Sequence, residues 1–209
     1  MLDDSILKFD LNVCGYKVLY DNYFQINEKN ILKEYSFFLE KYSSPWINTS
    51  RIGLKEIQKI DEIKKVLENI LETLKVNSME NKVIFEDLWL INGNKKKYAK
   101  DKLPNIPHID KIRKFKVMFY LNNIDLSNGP IHIANCSASK YEDFRKNLPD
   151  DYKSKELNVI SDLELKKFRP IIGKFGTIIF FDTNTPHYAG PFLDYSTSRK
   201  ILRFNFKYV

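Results

Sequence analysis

The chain is poor in cysteine, in histidine and in long apolar runs, and each shortage narrows what it can be. Its two cysteines, Cys14 and Cys136, lie far apart and in no CxxC arrangement, which argues against a disulfide framework and a structural zinc site. No apolar stretch approaches the length that spans a bilayer. The N-terminal MLDDSILKFDLNVCGYK opens acidic and then mixes polar with apolar residues, unlike the basic, apolar, small-residue order of a signal peptide. A cytoplasmic protein without a membrane partner is the expectation. There is no internal repeat, no Gly/Ser linker and no low-complexity tract, so residues 1–209 read most simply as one domain with length enough for a substantial core.

What is present fits a folded, soluble chain: 43% hydrophobic and 14% aromatic residues. The formal charge of +7 raises the question of a nucleic-acid partner. The lysines are scattered, however, and only GNKKKYAK (93–100) is a cluster. A lysine-rich solvated surface is the favoured reading, and nucleic acid the disfavoured one.

GYKVLYDNYF (15–24) mixes β-branched and aromatic residues and reads as an opening strand. Asn27 is placed to cap a helix through Tyr42, with Ile31, Tyr35, Phe38 and Leu39 on one face. PWINTSRIG breaks the pattern. A longer helix then spans about 54–76, with a buried stripe through Ile57, Ile60, Ile63, Leu67, Ile70, Leu71 and Leu74. After residue 80 the period changes to short aromatic and β-branched runs at 82–93, 114–123, 129–135, 175–183 and 199–209. A charged, weakly helical insertion occupies 137–170. Helices followed by strands, without regular alternation, disfavour a doubly wound sheet. They predict a mainly β fold, an antiparallel sandwich or barrel at 81–209 braced by helices from 1–80.

The three histidines are where chemistry enters. In PHID, His108 and Asp110 stand at i and i+2, so on an extended chain both project to one side and can share a metal. His187, after the apolar GTIIFFDTNTP, is the candidate third ligand. Two histidines and a carboxylate on one face select non-haem Fe(II) and leave positions open for oxygen and a cosubstrate. Arg199 opens the last strand, and its planar fork suits the distal carboxylate of 2-oxoglutarate. Arg203 shares its strand parity; it is the backup for that role or faces an anion of the substrate. Taken singly, HxD also fits a hydrogen-bonded surface histidine, Arg199 an exposed arginine, and Asp182, before TNTP, a turn cap.

Several segments resemble the phytanoyl-CoA dioxygenase-like family of Fe(II)/2-oxoglutarate-dependent oxygenases. They are GYKVLYDNYF, PHID, FKVMFYLNNIDLSNGPIHI, GKFGTIIFFDTNTPHYAG and SRKILRFNF, in the family's order. The resemblance implies a double-stranded β-helix (a jelly roll, cupin-like). It implies iron on His108, Asp110 and His187, 2-oxoglutarate on Arg199, and consumption of O2 with release of succinate and carbon dioxide as a small metabolite or biosynthetic intermediate is hydroxylated. Where the family carries a Pro-Gly-Ser-His run the chain reads CSASK, which puts the turn at Ser137 and Ser139 in question. His132 reads as structural or substrate-facing. Asp110, where halogenating relatives have a small residue, argues for oxygenation.

The basic segment 92–105, with Lys95, Lys96, Lys97 and Tyr98, is either a solvated loop or a rim that meets an anionic substrate. The 137–170 insertion is the candidate lid, its Tyr141, Phe144 and Tyr152 covering the substrate or packing on the barrel. Two alternatives stay open: a nucleic-acid or protein oxygenase of the same chemistry, and a non-catalytic cupin-like ligand-binding barrel. Oligomeric state is not legible.

Overall fold

The computed structural model describes residues 7–42, 49–94, 103–152, 157–160, 164–194 and 196–209. In chain order the elements are β1 (Tyr16–Leu19), α1 (Glu28–Tyr42), β2 (Thr49–Ile52), α2 (Leu54–Ile57), α3 (Asp61–Val76), β3 (Val83–Asn94), β4 (Lys114–Tyr120), β5 (Ile131–Ala134), α4 (Glu142–Lys146), β6 (Phe168–Pro170), β7 (Ile178–Asp182), β8 (His187–Ala189) and β9 (Ser198–Tyr208). A six-stranded sheet runs β1-β7-β4-β9-β3-β2, and a three-stranded sheet runs β6-β5-β8. Every pairing is antiparallel. This is the jelly roll that the residue pattern and the resemblance imply.

The large sheet is buried on both faces because its central strands are apolar at both parities. Phe115, Val117 and Phe119 of β4, Ile178 and Phe180 of β7, and Leu202, Phe204 and Phe206 of β9 pack with Ile31, Tyr35, Ile63 and Ile70 of the helices. The intervening residues Met118, Tyr120, Ile179, Phe181 and Ile201 meet Ile131 and Ile133 of the small sheet in a second core. Strand alternation therefore divides each strand between a helix-facing half and a half that faces the space between the sheets.

The N-terminal part differs from the sequence expectation in several places. The opening strand ends at Leu19, because Asp21, Asn22 and Gln25 take positive φ values of 60°, 50° and 52°. Asn22 fixes that turn by bonding both the N–H and the C=O of Ile26. The pattern-breaking 49–52 segment is β2, paired with β3, so the N-terminal part supplies both edge strands of the large sheet as well as helices. The expected helix over 54–76 is two helices. The Glu34 carboxylate of α1 accepts the N–H groups of Glu62 and Ile63 (3.0 and 2.9 Å) and so caps a second start at Asp61. Leu71 is exposed, outside the buried stripe.

Candidate active site

Backbone pairing brings the three candidate ligands together. His108 N–H donates to the His187 carbonyl (3.1 Å), and His187 N–H returns a bond to His108 (2.9 Å). Asp110 N–H bonds the Thr183 carbonyl at 3.1 Å. The candidate metal-ligating atoms of His108, Asp110 and His187 all lie within 4.8 Å of one another. Each imidazole is also oriented. Nδ1 of His108 lies 2.7 Å from the Ile106 carbonyl, and Nδ1 of His187 lies 2.9 Å from that of Thr185. A carbonyl only accepts, so each Nδ1 carries the proton and each Nε2 keeps its lone pair for a ligand.

The electrostatics point the same way. Burial lowers the His108 pKa, and burial together with His108 pushes His187 down to about 3. Both rings are therefore neutral donors at physiological pH. Burial works to raise the Asp110 pKa, but Lys116 above all overrides it and holds the carboxyl well below the usual range. Lys116 Nζ lies 2.6 Å from Asp110 Oδ2, while Oδ1 is the oxygen turned toward His108 Nε2, at 3.9 Å. Two neutral nitrogens and one ionised carboxylate on one side of an open cavity are the donor set of a first-row divalent ion, and ferrous iron fits it.

The triad opens on a cavity of about 570 Å³ between the sheets. Lys116, Met118 and Tyr120 of β4 enter it at alternate positions, as do Arg199, Ile201 and Arg203 of β9. Arg199 bonds the Gly129 carbonyl through Nη1 and stands over the Phe192 ring. The same corner needs a glycine: at φ 74°, a Cβ on Gly129 would meet the Phe192 ring at 2.8 Å. Arg203 lies over the Trp89 ring, 4.3 Å from its centroid.

The other candidates sort as follows. Asp182 is the turn cap: it accepts the Asn184 N–H at 2.8 Å and also binds Arg113 and Tyr208. His132 stacks on Tyr188 and stands apart from the triad. Ser137 accepts the Ser139 N–H, so CSASK builds an ordinary capped turn. Within the insertion, Tyr152 lines the cavity, Tyr141 packs in a small core with Ile109 and Phe168, and Phe144 is largely exposed. Lys95, Lys96, Lys97 and Tyr98 lie outside the described residues. Asn158 holds the HxD segment: its Nδ2 donates to the Ile109 carbonyl (2.8 Å), and its backbone carbonyl accepts from Ile109 N–H (3.1 Å).

Sequence reasoning missed Lys116 and Trp89. The signal for Lys116 was available: a single charge amid the apolar run FKVMFYL, in a strand with no solvent face to put it on.

No protein-family model matches the chain, and no curated protein does. Solved structures do. EvdO2 from Micromonospora carbonacea var. aurantiaca, complexed with 2-oxoglutarate, matches with a TM-score of 0.65 at 13% identity, over 99% of this chain and 91% of that chain. The non-haem α-ketoglutarate-dependent carbocyclase SnoK from nogalamycin biosynthesis gives 0.63 at 12% identity, over 98% and 83%. HygX from Streptomyces hygroscopicus, with nickel and 2-oxoglutarate bound, gives 0.58 at 12%, over 94% and 84%. At these identities the likeness shows the fold: the chain shares the jelly-roll architecture of 2-oxoglutarate-dependent enzymes across nearly its whole length.

Proposed function

We propose that the protein is an Fe(II)- and 2-oxoglutarate-dependent dioxygenase acting on a small organic molecule, within the phytanoyl-CoA dioxygenase-like branch whose motifs it resembles. One observation carries the reading: His108, Asp110 and His187 converge to within 4.8 Å, with both imidazoles locked in the ligating tautomer. The fold shared with EvdO2, SnoK and HygX supports it. A cavity of about 570 Å³ is the size of a small-molecule site. The free thiols Cys14 and Cys136 suit a reducing, cytoplasmic setting. Among the described residues no helix is long and apolar enough to cross a membrane.

In this reading the ferrous ion and 2-oxoglutarate supply O2 activation, with succinate and carbon dioxide as the cosubstrate's products and oxidation of a substrate C–H as the result. The chain supplies placement. The carbonyls of Ile106 and Thr185 hold His108 and His187 with Nε2 free to bind a metal, and Lys116 holds Asp110 through Oδ2, with Oδ1 turned toward His108. Arg199, half-buried and with an enclosed Nε that has no partner among the described residues, receives the distal carboxylate of 2-oxoglutarate. Met118, Phe181 and Ile201 keep bulk water from the reacting face. Hydroxylation is the default outcome, and the pose of the substrate decides between it and desaturation or ring closure. Tyr152 and Asn158 of the insertion line the cavity and serve as its cover.

Anaerobic titration with Fe(II) and 2-oxoglutarate tests this directly. The expected result is a weak visible charge-transfer band, with succinate formed on admitting oxygen; His108→Ala abolishes both. A folded protein that gives no band is a ligand-binding barrel instead.

A further inference from the structure

We propose that Arg203, seated on the Trp89 ring, anchors the organic substrate through an oxyanion group that the substrate carries, a carboxylate or a phosphate. The inference rests on the oxygenase reading and adds to it the chemical class of the substrate.

It follows from pairing the charges around the cavity. Among the described residues the lining holds three basic side chains, Lys116, Arg199 and Arg203, and one carboxylate, Asp110. Lys116 is bound to Asp110. A ferrous ion and the doubly charged 2-oxoglutarate cancel, so the filled site still carries an excess of two positive charges, Arg199 and Arg203. Arg199 has the cosubstrate's far carboxylate in direct contact; Arg203 has no anion beside it among the described residues. No carboxylate or carbonyl among the described residues bonds its guanidinium, and its Nε is buried without a partner. The one other carboxylate that acts on it electrostatically, Asp87, is already held by Arg51 and by Asn205 Nδ2.

The position is right for a substrate contact. Arg203 pairs with Met118 on one side and Trp89 on the other, two residues along β4 from Lys116. It lies on the Asp110 side of the cavity, where Asp110 is its strongest favourable influence. Arg199 stands four residues away, about 13 Å along an extended strand, beside Phe192 and Gly129. The two guanidiniums therefore serve two different anions. Contact with the Trp89 ring, 4.3 Å from Cζ to the centroid, restrains the fork, so less freedom is lost when a planar or tetrahedral oxyanion binds.

The test uses the Trp46→Phe protein, in which Trp89 is the one remaining tryptophan, loaded with Mn(II) and 2-oxoglutarate to fill the metal and Arg199 sites. Methyl phosphate, acetate and neutral acetamide are titrated at constant ionic strength while Trp89 fluorescence is followed. A saturable change with methyl phosphate or acetate, and none with acetamide, is expected; whichever anion binds more tightly names the group. Arg203→Met should weaken that binding roughly 10- to 100-fold, the loss of a charge-assisted fork, and Arg203→Lys by less. The Fe(II)/2-oxoglutarate band of each variant reports that its fold and metal site survive. No saturable response to either anion, or an equal response in Arg203→Met, overturns the proposal while the band leaves the oxygenase reading standing. Anion binding without the band removes the oxygenase reading and leaves Arg203 as the anion site of a binding barrel.

Discussion

Replacing Lys116 with Met removes the ammonium that faces Asp110 and keeps the length of the side chain. The pair is close, 2.6 Å, and its members are 11% and 27% exposed, opening onto the cavity. Breaking a fully buried pair typically costs about 3–5 kcal/mol, because the orphaned charge stays in low dielectric. Water in the cavity softens this, so about 2–3 kcal/mol is expected for the metal-free protein, below the fully buried case. For a chain of this size that is a fall in melting temperature on the order of 5–10 °C. Differential scanning calorimetry of the metal-free wild type and Lys116→Met measures it. Saturating Mn(II) then narrows the gap, since the ion replaces the missing positive charge beside Asp110. A metal-free variant that melts within about 1 °C of wild type would refute the claim that Lys116 is the counter-ion of Asp110.

Arg199→Met should weaken 2-oxoglutarate binding roughly 10- to 100-fold, the loss of a charge-assisted bidentate contact, measured by titrating the charge-transfer band; unchanged affinity would move the cosubstrate's carboxylate elsewhere. Glu34→Ala uncaps α3 and should cost about 1–2 kcal/mol in urea denaturation, with no change in metal affinity. His132 has its pKa lowered, by burial first and Arg199 last. The unfolded chain therefore takes up this proton more readily, and the contribution to stability is complete above pH about 6.5 and lost as pH falls toward the folded value. His132→Asn should flatten the difference between stability at pH 7 and pH 5, read from the same urea curves, and an unaltered slope would contradict the burial argument.

How much of this was legible beforehand follows from where each signal resides. Helix α1 and its Asn27 cap read directly, because the Asn27 side chain and the spacing of Ile31, Tyr35 and Phe38 are local. The opening strand read too long, since Tyr20, Tyr23 and Phe24 have β propensity while Asp21 and Asn22 turn the chain. The split between α2 and α3 was not legible, because the cap that creates it arrives from Glu34, well upstream in the chain. Strands β2, β6 and β8 were missed for a related reason: three or four residues hold no periodic pattern, and only their partners make them strands.

The sequence by itself determined the chemistry on offer: one HxD pair, one later histidine and two arginines of equal parity on an apolar strand. The tertiary structure decided what those residues do together. It joined His108 to His187 through reciprocal backbone bonds and set their tautomers with two carbonyls. It gave Lys116 to Asp110 and left Arg203 over Trp89 with no partner among the described residues. Those outcomes depend on which side chains share a desolvated cavity, and charge pairing in such a place is fixed by distance through space, which spacing along a chain does not encode.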